Sequence, residues 1–321
     1  MHLPDGFLDA KTALLSTGAA TAGVAVALRQ VRAALQPRQM PLLGLSAAFV
    51  FAAQMLNFPI AGGTSGHLLG GVLIAVLLGP SAAVLVLTCV LLVQCFMFAD
   101  GGLMALGANV FNMALVNVCA GYFVFRSLKA LLRMEEARAT VLAAAFAAWS
   151  GTVLAAIACA GELALSKTVS WALAFAAMTN VHMLIGLGEG LATGLITLAV
   201  LRTRPQLIAG ARETGTQARL SFIAYGFLVC CGLAIFVAPF ACPWPDGLDA
   251  VARKLGFEGQ ATRSLEGPFA DYRLPWVGST TAATAIAGLI GTLLAFIAAY
   301  ALARTLVPVL SSSKKDAPSG N

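Results

Sequence analysis

The 321 residues are 59% hydrophobic and only 11% charged, with a mean hydropathy of +0.87. A soluble domain carries about 25% charged residues, so these values exclude a soluble enzyme or binding domain. Apolar runs of membrane-spanning length recur along the chain, and the alternating segments of about ten residues that build a membrane β-barrel are not seen. The sequence therefore predicts an all-α polytopic membrane protein, and the net charge of +6 concerns its orientation in the bilayer rather than nucleic-acid binding.

The first ten residues, MHLPDGFLDA, precede the first apolar run and contain no Lys or Arg. A cleaved signal peptide starts with a basic region, so we expect this segment to stay in the protein. Pro4, Asp5 and Gly6 are typical turn residues. The chain start is therefore predicted to fold back toward the helices.

Nine apolar segments follow in chain order. They are predicted over 12–35, 41–58, 67–79, 81–98, 103–125, 139–162, 171–201, 219–240 and 279–303. The third is too short to cross a bilayer and is interpreted as a half-helix before Pro80. The segments predict a compact seven-span unit over 1–203, a cytoplasmic linker over 204–218, and a two-span hairpin in 219–321 that encloses a periplasmic loop, 241–278.

Basic residues indicate the orientation. Fourteen of the twenty Lys and Arg residues fall on one side of the predicted spans. By the positive-inside rule that side is cytoplasmic, so we expect Met1 and His67 outside and the C-terminus inside, in the inner membrane. Six of the seven cysteines lie within predicted spans and are expected to be buried apolar residues, without a disulfide or a thiolate metal site.

The chain start carries metal-binding chemistry. The α-amine of Met1, the backbone nitrogen of His2 and the Nδ1 of its imidazole can chelate one ion through a five-membered and a six-membered ring. Because the peptide unit is planar, these nitrogens leave one in-plane position open, which the His67 imidazole can fill. Tetragonal nitrogen ligation favours Ni(II) or Cu(II) over Zn(II) and Mg(II). The site requires Met1 to be retained, which the bulk of His2 favours, and Asn57, Thr64 and Ser65 are candidates to hydrogen-bond a ligating ring.

Other polar and small residues have simpler interpretations. His182 and Glu189 fall inside the seventh span and are expected to make structural hydrogen bonds, since unpaired groups there are costly. Glycines at 186, 190 and 194 are predicted to pack helices closely. The stripe of Ala19, Gly23 and Ala27 in the first span is a candidate docking face for a partner membrane subunit.

A rival class is an intramembrane serine protease, with Ser65 of the Gly63–Gly66 segment as nucleophile and His182 as base. That pattern is short, and it leaves His2 unexplained. The sequence also lacks the GxxxxGK[ST] phosphate-binding loop. A transport function would therefore need ATP hydrolysis by a separate partner.

Four separated motifs occur in order along the chain: MHLPDGFL, QMLNFPIAGGTSGHLLGG (54–71), FADGGLMALGANVFNMA (98–114) and VHMLIGLGEG (181–190). Together they resemble one family, the NikM/CbiM substrate-binding subunits of energy-coupling factor nickel and cobalt transporters. The resemblance covers about 1–203 and implies a seven-helix bundle whose N-terminus inserts from outside. It also implies that the metal ligands are the Met1 amine, the His2 amide and imidazole, and the His67 imidazole.

The second part resembles the small NikN-like companion subunit of the same systems. Its PWPDGLDAVARKLGFEG (243–259) is similar to the PDGLE segment, with Asp249 in place of the final Glu. Together the resemblances imply a non-catalytic subunit that captures Ni(II), or alternatively Co(II), with no organic cofactor. They also imply two kinds of partner, a transmembrane coupling subunit and cytoplasmic ATPase subunits.

Overall fold

The computed structural model describes residues 1–204 and 216–306. Most of the predicted linker (205–215) and the C-terminal tail (307–321) lie outside the described residues. The helices of the first part are α1 Ala10–Ala34, α2 Met40–Gln54, α3 Gly71–Leu78, α4 Pro80–Phe98, α5 Leu106–Leu131, α6 Glu136–Leu165 and α7 Trp171–Thr203. The second part contains α8 Thr216–Gly232, α9 Gly247–Leu255 and α10 Thr280–Leu306.

Within the described ranges, seven helical segments are long and apolar enough to cross a bilayer. They are α1, α4, α5, α6, α7, the segment Arg219–Phe240 that contains most of α8, and α10. The prediction of an all-α, multi-pass membrane protein is therefore confirmed. The half-helix is also found, because α3 has only eight residues and ends at Gly79, whose positive φ of +89° turns the chain into Pro80 and α4.

The region between α2 and α3 differs from the predicted apolar helix over 41–58. The helix ends at Gln54, and strands β1 (Phe58–Ile60) and β2 (Thr64–Gly66) form a small antiparallel hairpin. Pro59 is incompatible with a helix that continues to 58, since proline lacks the backbone N–H of a helix interior and disfavours helical backbone at the preceding residue. The β-hairpin delivers His67 directly after its second strand.

The C-terminal hairpin, residues 219–306, packs closely on the core. Gly291 of α10 faces the ring of Phe51 on α2, and a Cβ built at this glycine would lie 1.9 Å from the Phe51 Cζ. Gly44 of α2 meets the Phe296 side chain in the same way. Small residues at both crossings let the helix backbones approach, so the hairpin and the core share one packed interior.

Only part of the small-residue stripe on α1 (Ala19, Gly23 and Ala27) is exposed. A Cβ at Gly23 would lie 2.4 Å from a methyl carbon of Leu115, and Ala27 is buried. The prediction of a docking face is therefore wrong for these two residues, which pack inside the bundle, while Ala19 is exposed. The α7 glycines lie against Trp149 and Ala145, as expected of close helix packing.

Candidate metal centre

The N-terminal segment is threaded into the protein. Met1 and Leu3 are buried, and the Leu3 backbone is held by the Asn109 side chain, which accepts from the Leu3 N–H at 2.7 Å and donates to its carbonyl at 3.0 Å. The Gly102 N–H donates to the same carbonyl at 2.8 Å. These contacts fix the backbone of the first three residues, where a chain end would normally fray.

Asp5 anchors the turn that follows. Its buried carboxylate accepts backbone hydrogen bonds from residues 103, 104 and 105 at 2.8–3.2 Å and from Ser264 at 3.3 Å. Its own carbonyl accepts from the Thr262 N–H at 2.8 Å. Gly6 has φ +90°, and a Cβ there would lie 2.1 Å from the Gln260 carbonyl oxygen, so only glycine fits. The predicted turn is present, and it is held by hydrogen bonds from the core on one side and from the loop 241–278 on the other.

The predicted donor groups converge at this buried chain end. The Met1 amine nitrogen lies 2.9 Å from the Nε2 of His67, and the His2 and His67 rings stack with centroids 5.3 Å apart. His67 Nδ1 contacts the Leu68 carbonyl at 3.1 Å, which places the proton on Nδ1 and leaves the Nε2 lone pair facing the amine. Among the described residues no three His, Cys, Asp or Glu side chains gather as a metal-binding group.

Two carboxylates flank the donors. Asp246 Oδ2 accepts from the Met1 amine at 2.7 Å, and Asp100 Oδ1 lies 3.3 Å from His2 Nδ1. The Tyr272 hydroxyl donates to the other Asp100 oxygen at 2.5 Å. Because Asp246 and Tyr272 belong to the loop 241–278, the C-terminal hairpin contributes directly to the surroundings of the chain start.

Burial and charge set the protonation of these groups. Burial lowers the pKa of His2, and it lowers the pKa of His67 further, helped by the positive amine. Both imidazoles are therefore neutral at pH 7, as metal ligands must be. Burial alone would raise the pKa of Asp246, but the neighbouring amine and His67 outweigh it and hold that pKa below its ordinary value. Asp246 is a carboxylate at pH 7.

The predicted hydrogen-bond partners of the ligating rings were wrong. Ser65 Oγ donates to the Trp244 carbonyl at 2.8 Å, Thr64 pairs with Ile60 in the β-hairpin, and the Asn57 carbonyl accepts from the Cys242 N–H. The ring nitrogens of His67 and His2 contact the Leu68 carbonyl and the Gln94 side chain instead. The side chains that touch His2 and Met1 are Gln94, Asp100 and Asp246. Asp100 lies in the motif FADGG and Asp246 in the motif PDG, so these two motifs were the sequence signal that pointed to the site.

The buried pair on α7 has different partners. Glu189 accepts from the backbone N–H groups of Leu69 and Gly70 at 2.6 and 2.8 Å, so it fixes the loop that carries His67. His182 Nδ1 lies 2.8 Å from the Met178 carbonyl. The expected structural hydrogen bonds are thus present for Glu189, whereas the His182 bond stays within its own helix and its Nε2 is buried without a hydrogen-bond partner.

The geometry gives the protease alternative no support. Ser65 Oγ points to the backbone carbonyls of Trp244 and Pro245, and His182 bonds Met178 within its own helix. The Gly63–Gly66 segment is a β-hairpin turn and strand, with Gly63 at φ +71°. The hydrogen-bonded serine–histidine pair that such a nucleophile needs is not formed by these two residues.

Comparison with known proteins gives matches over both parts of the chain. Residues 2–207 match the family model CbiM, described as a cobalt uptake substrate-specific transmembrane region, and residues 220–307 match the PDGLE domain. A putative fused nickel transport protein, NikMN, from Archaeoglobus fulgidus is 36% identical over 95% of this chain and 98% of its own. The fused nickel transport protein NikMN of Rhodobacter capsulatus is 32% identical over 74% of this chain and 73% of its own.

A crystal structure of a truncated transition metal transporter is similar to the core. It superposes with a TM-score of 0.57 at 33% identity and covers 63% of this chain and 99% of its own. Taken with the family match over 2–207, this likeness identifies the chain as a member of the CbiM family of metal-uptake membrane proteins, extended by a PDGLE domain.

Proposed function

We propose that this protein captures Ni(II) at the extracytoplasmic face of the inner membrane, as the substrate-specific subunit of an energy-coupling factor transporter. The observation that carries the proposal is the convergence of the Met1 amine, His2 and His67 in one buried place, with the amine 2.9 Å from His67 Nε2. The ion would bind the amine, the deprotonated His2 amide, His2 Nδ1 and His67 Nε2.

The charges around the site support a divalent ion. A neutral amine, a deprotonated amide and two neutral imidazoles reduce the charge of a bound Ni(II) to +1. A buried charge is costly unless it is paired, and the Asp246 carboxylate is already in contact with the amine. After metal binding the amine keeps N–H groups that can donate to Asp246, so this contact and the chelate are compatible.

The sequence and the family support the proposed partners and the proposed metal. Because the chain has no phosphate-binding loop, we infer that ATPase subunits and a transmembrane coupling subunit supply the energy. Four nitrogens in one plane favour Ni(II), and both relatives described above are named as nickel transport proteins. Co(II) is the second candidate, because the family description refers to cobalt uptake.

The proposal is tested by lengthening the chain start. One added residue would place the histidine third and create a new chelate of amine, two amides and imidazole, so two residues, Met-Leu, are added before Met1. Metal analysis of the purified full chain should give one nickel per protein for the native start and background nickel for the extended one. Two residues added at the C-terminus are the control, and mass spectrometry confirms that the native protein begins at Met1. Equal nickel in both proteins would refute the ligand set.

Asp246→Asn removes the charge beside the amine while keeping the size of the side chain. We expect the affinity for Ni(II) to fall about 10-fold or more, the usual cost of losing a hydrogen-bond partner of a ligand. Asp271→Asn is the matched control, because Asp271 lies in the same loop but is exposed and pairs with Arg263. Competition with a chelator of known affinity measures both, and an unchanged affinity in Asp246→Asn would show that the ion pair with the amine has no role in binding.

A further inference from the structure

Two buried glutamines connect His2 to the backbone. The His2 Nε2 lies 3.2 Å from Gln94 Oε1, the Gln94 Nε2 donates to Gln54 Oε1 at 2.7 Å, and the Gln54 Nε2 donates to the Leu69 carbonyl at 3.1 Å. Gln94 lies on α4 and Gln54 ends α2, and both are buried. Neither glutamine is a predicted metal ligand.

The backbone carbonyl fixes the direction of the whole chain of hydrogen bonds. The Leu69 carbonyl can only accept, so the Gln54 atom that faces it is the NH₂ group. The Gln54 oxygen then faces Gln94 and must receive the Gln94 NH₂ group. The Gln94 oxygen is left facing His2 Nε2, and because this oxygen can only accept, Nε2 must carry the proton.

We propose that Gln54 and Gln94 are positioning residues that hold His2 as its Nε2–H tautomer, so that the lone pair is on Nδ1. This inference rests on the proposed function, because Nδ1 is the ring nitrogen that closes a six-membered chelate ring with the His2 amide. With the proton on Nδ1, the ring would present no lone pair to the ion until it had rearranged. We call this chain of hydrogen bonds through Gln54 and Gln94 the glutamine relay. The relay prepares the chelate before the metal arrives.

A competing acceptor makes the relay necessary. Asp100 Oδ1 lies 3.3 Å from His2 Nδ1 and would attract the proton to the chelating nitrogen. Tyr272 donates to the other oxygen of Asp100 and so weakens it as an acceptor. Gln94 on one side and Asp100 on the other thus compete for a single ring proton, and the relay keeps the Gln94 oxygen turned toward the ring.

The test measures the tautomer directly, without metal. The chain has only three histidines, so long-range ¹⁵N–¹H correlation spectra of histidine-labelled full-length protein contain three ring systems, which His67→Ala and His182→Ala assign. We expect the Nε2–H pattern for His2 in the native protein. In Gln94→Met, which keeps the side-chain length but has no carbonyl oxygen, the proton should move to Nδ1 and the Ni(II) affinity should fall about 10–100-fold.

Companion variants separate positioning from folding. Gln94→Glu retains an oxygen acceptor at the ring and should keep the Nε2–H tautomer, whereas Gln54→Met should give a mixture of tautomers although Gln54 does not touch His2. Gln30→Met, an exposed glutamine that pairs with Ser81, controls for the loss of a glutamine. An Nε2–H pattern that persists in Gln94→Met would overturn the relay. The expected tautomers, together with equal nickel in the native and extended proteins, would leave the relay standing and refute the chelate instead.

Discussion

His67→Ala should lower the affinity for Ni(II) by on the order of 100-fold or more. The imidazole is the one donor of the proposed plane that comes from a distant part of the chain, and water would have to replace it. Losing a hydrogen-bond partner of a ligand already costs about 10–100-fold, so loss of the ligand itself should cost at least as much. Chelator competition gives the affinity, and the visible absorption of planar nickel reports whether the four-nitrogen geometry survives.

The matched control for this change is His182→Ala. His182 lines the same small pocket as Met1 and His67, but its Nδ1 is bonded within α7 and its Nε2 makes no hydrogen bond, so the variant tests the loss of a neighbouring buried imidazole that is not a proposed ligand. We expect its nickel spectrum to match that of the native protein. Similar losses of affinity in both variants would indicate a general effect on the bundle, and the assignment of His67 as a ligand would fail.

Glu189→Ala should destabilise the protein and weaken nickel binding together. The carboxylate is the acceptor for two backbone N–H groups, those of Leu69 and Gly70, which the variant leaves without a partner away from water. Each unsatisfied buried group costs about 1–3 kcal/mol, giving about 2–6 kcal/mol in total. Because these residues follow His67 directly, the loop should also shift and misplace the imidazole. The apparent unfolding temperature in detergent and the nickel affinity measure the two effects.

Two further variants serve as controls for the loss of stability in Glu189→Ala. Glu189→Gln keeps one oxygen acceptor and should lose about half of the free energy of unfolding that Glu189→Ala loses. Glu135→Ala removes a surface glutamate that is paired only with the exposed Arg138, and such pairs are worth about 0–1 kcal/mol. A Glu189→Ala protein as stable as Glu135→Ala would contradict a structural role for the buried carboxylate.

Much of the fold is predictable from local patterns. Hydropathy marks the membrane helices because each must be apolar over the thickness of the bilayer, and the short third segment before Pro80 is correctly interpreted as a half-helix. The convergence of Met1, His2 and His67 is predictable from chelate chemistry and from the predicted side of the membrane. These features depend on residues close in sequence or on one strong physical constraint.

The surroundings of the donors are not predictable in this way. Gln94, Asp100 and Asp246 contact residues 1 and 2 across 92 to 245 positions of sequence, and no local pattern specifies which distant side chain arrives. The choice of Ser65 was wrong because its hydroxyl donates to backbone carbonyls of the loop 241–278, which no local pattern indicates. Likewise, the spacing of Gly23 and Ala27 indicates a face of α1, but not that Leu115 packs against it.

The contact between Met1 and Asp246, which are 245 positions apart in sequence, also has a consequence for biosynthesis. The opening residues leave the ribosome long before their carboxylate partner has been made, and Asp5 must wait for Thr262 in the same way. Contacts of such long range form late, once the intervening elements are in place. The surroundings of the Met1 amine are therefore complete only after the C-terminal hairpin has been inserted. A nascent chain that lacks this hairpin would meet metal ions without the Asp246 carboxylate beside the amine.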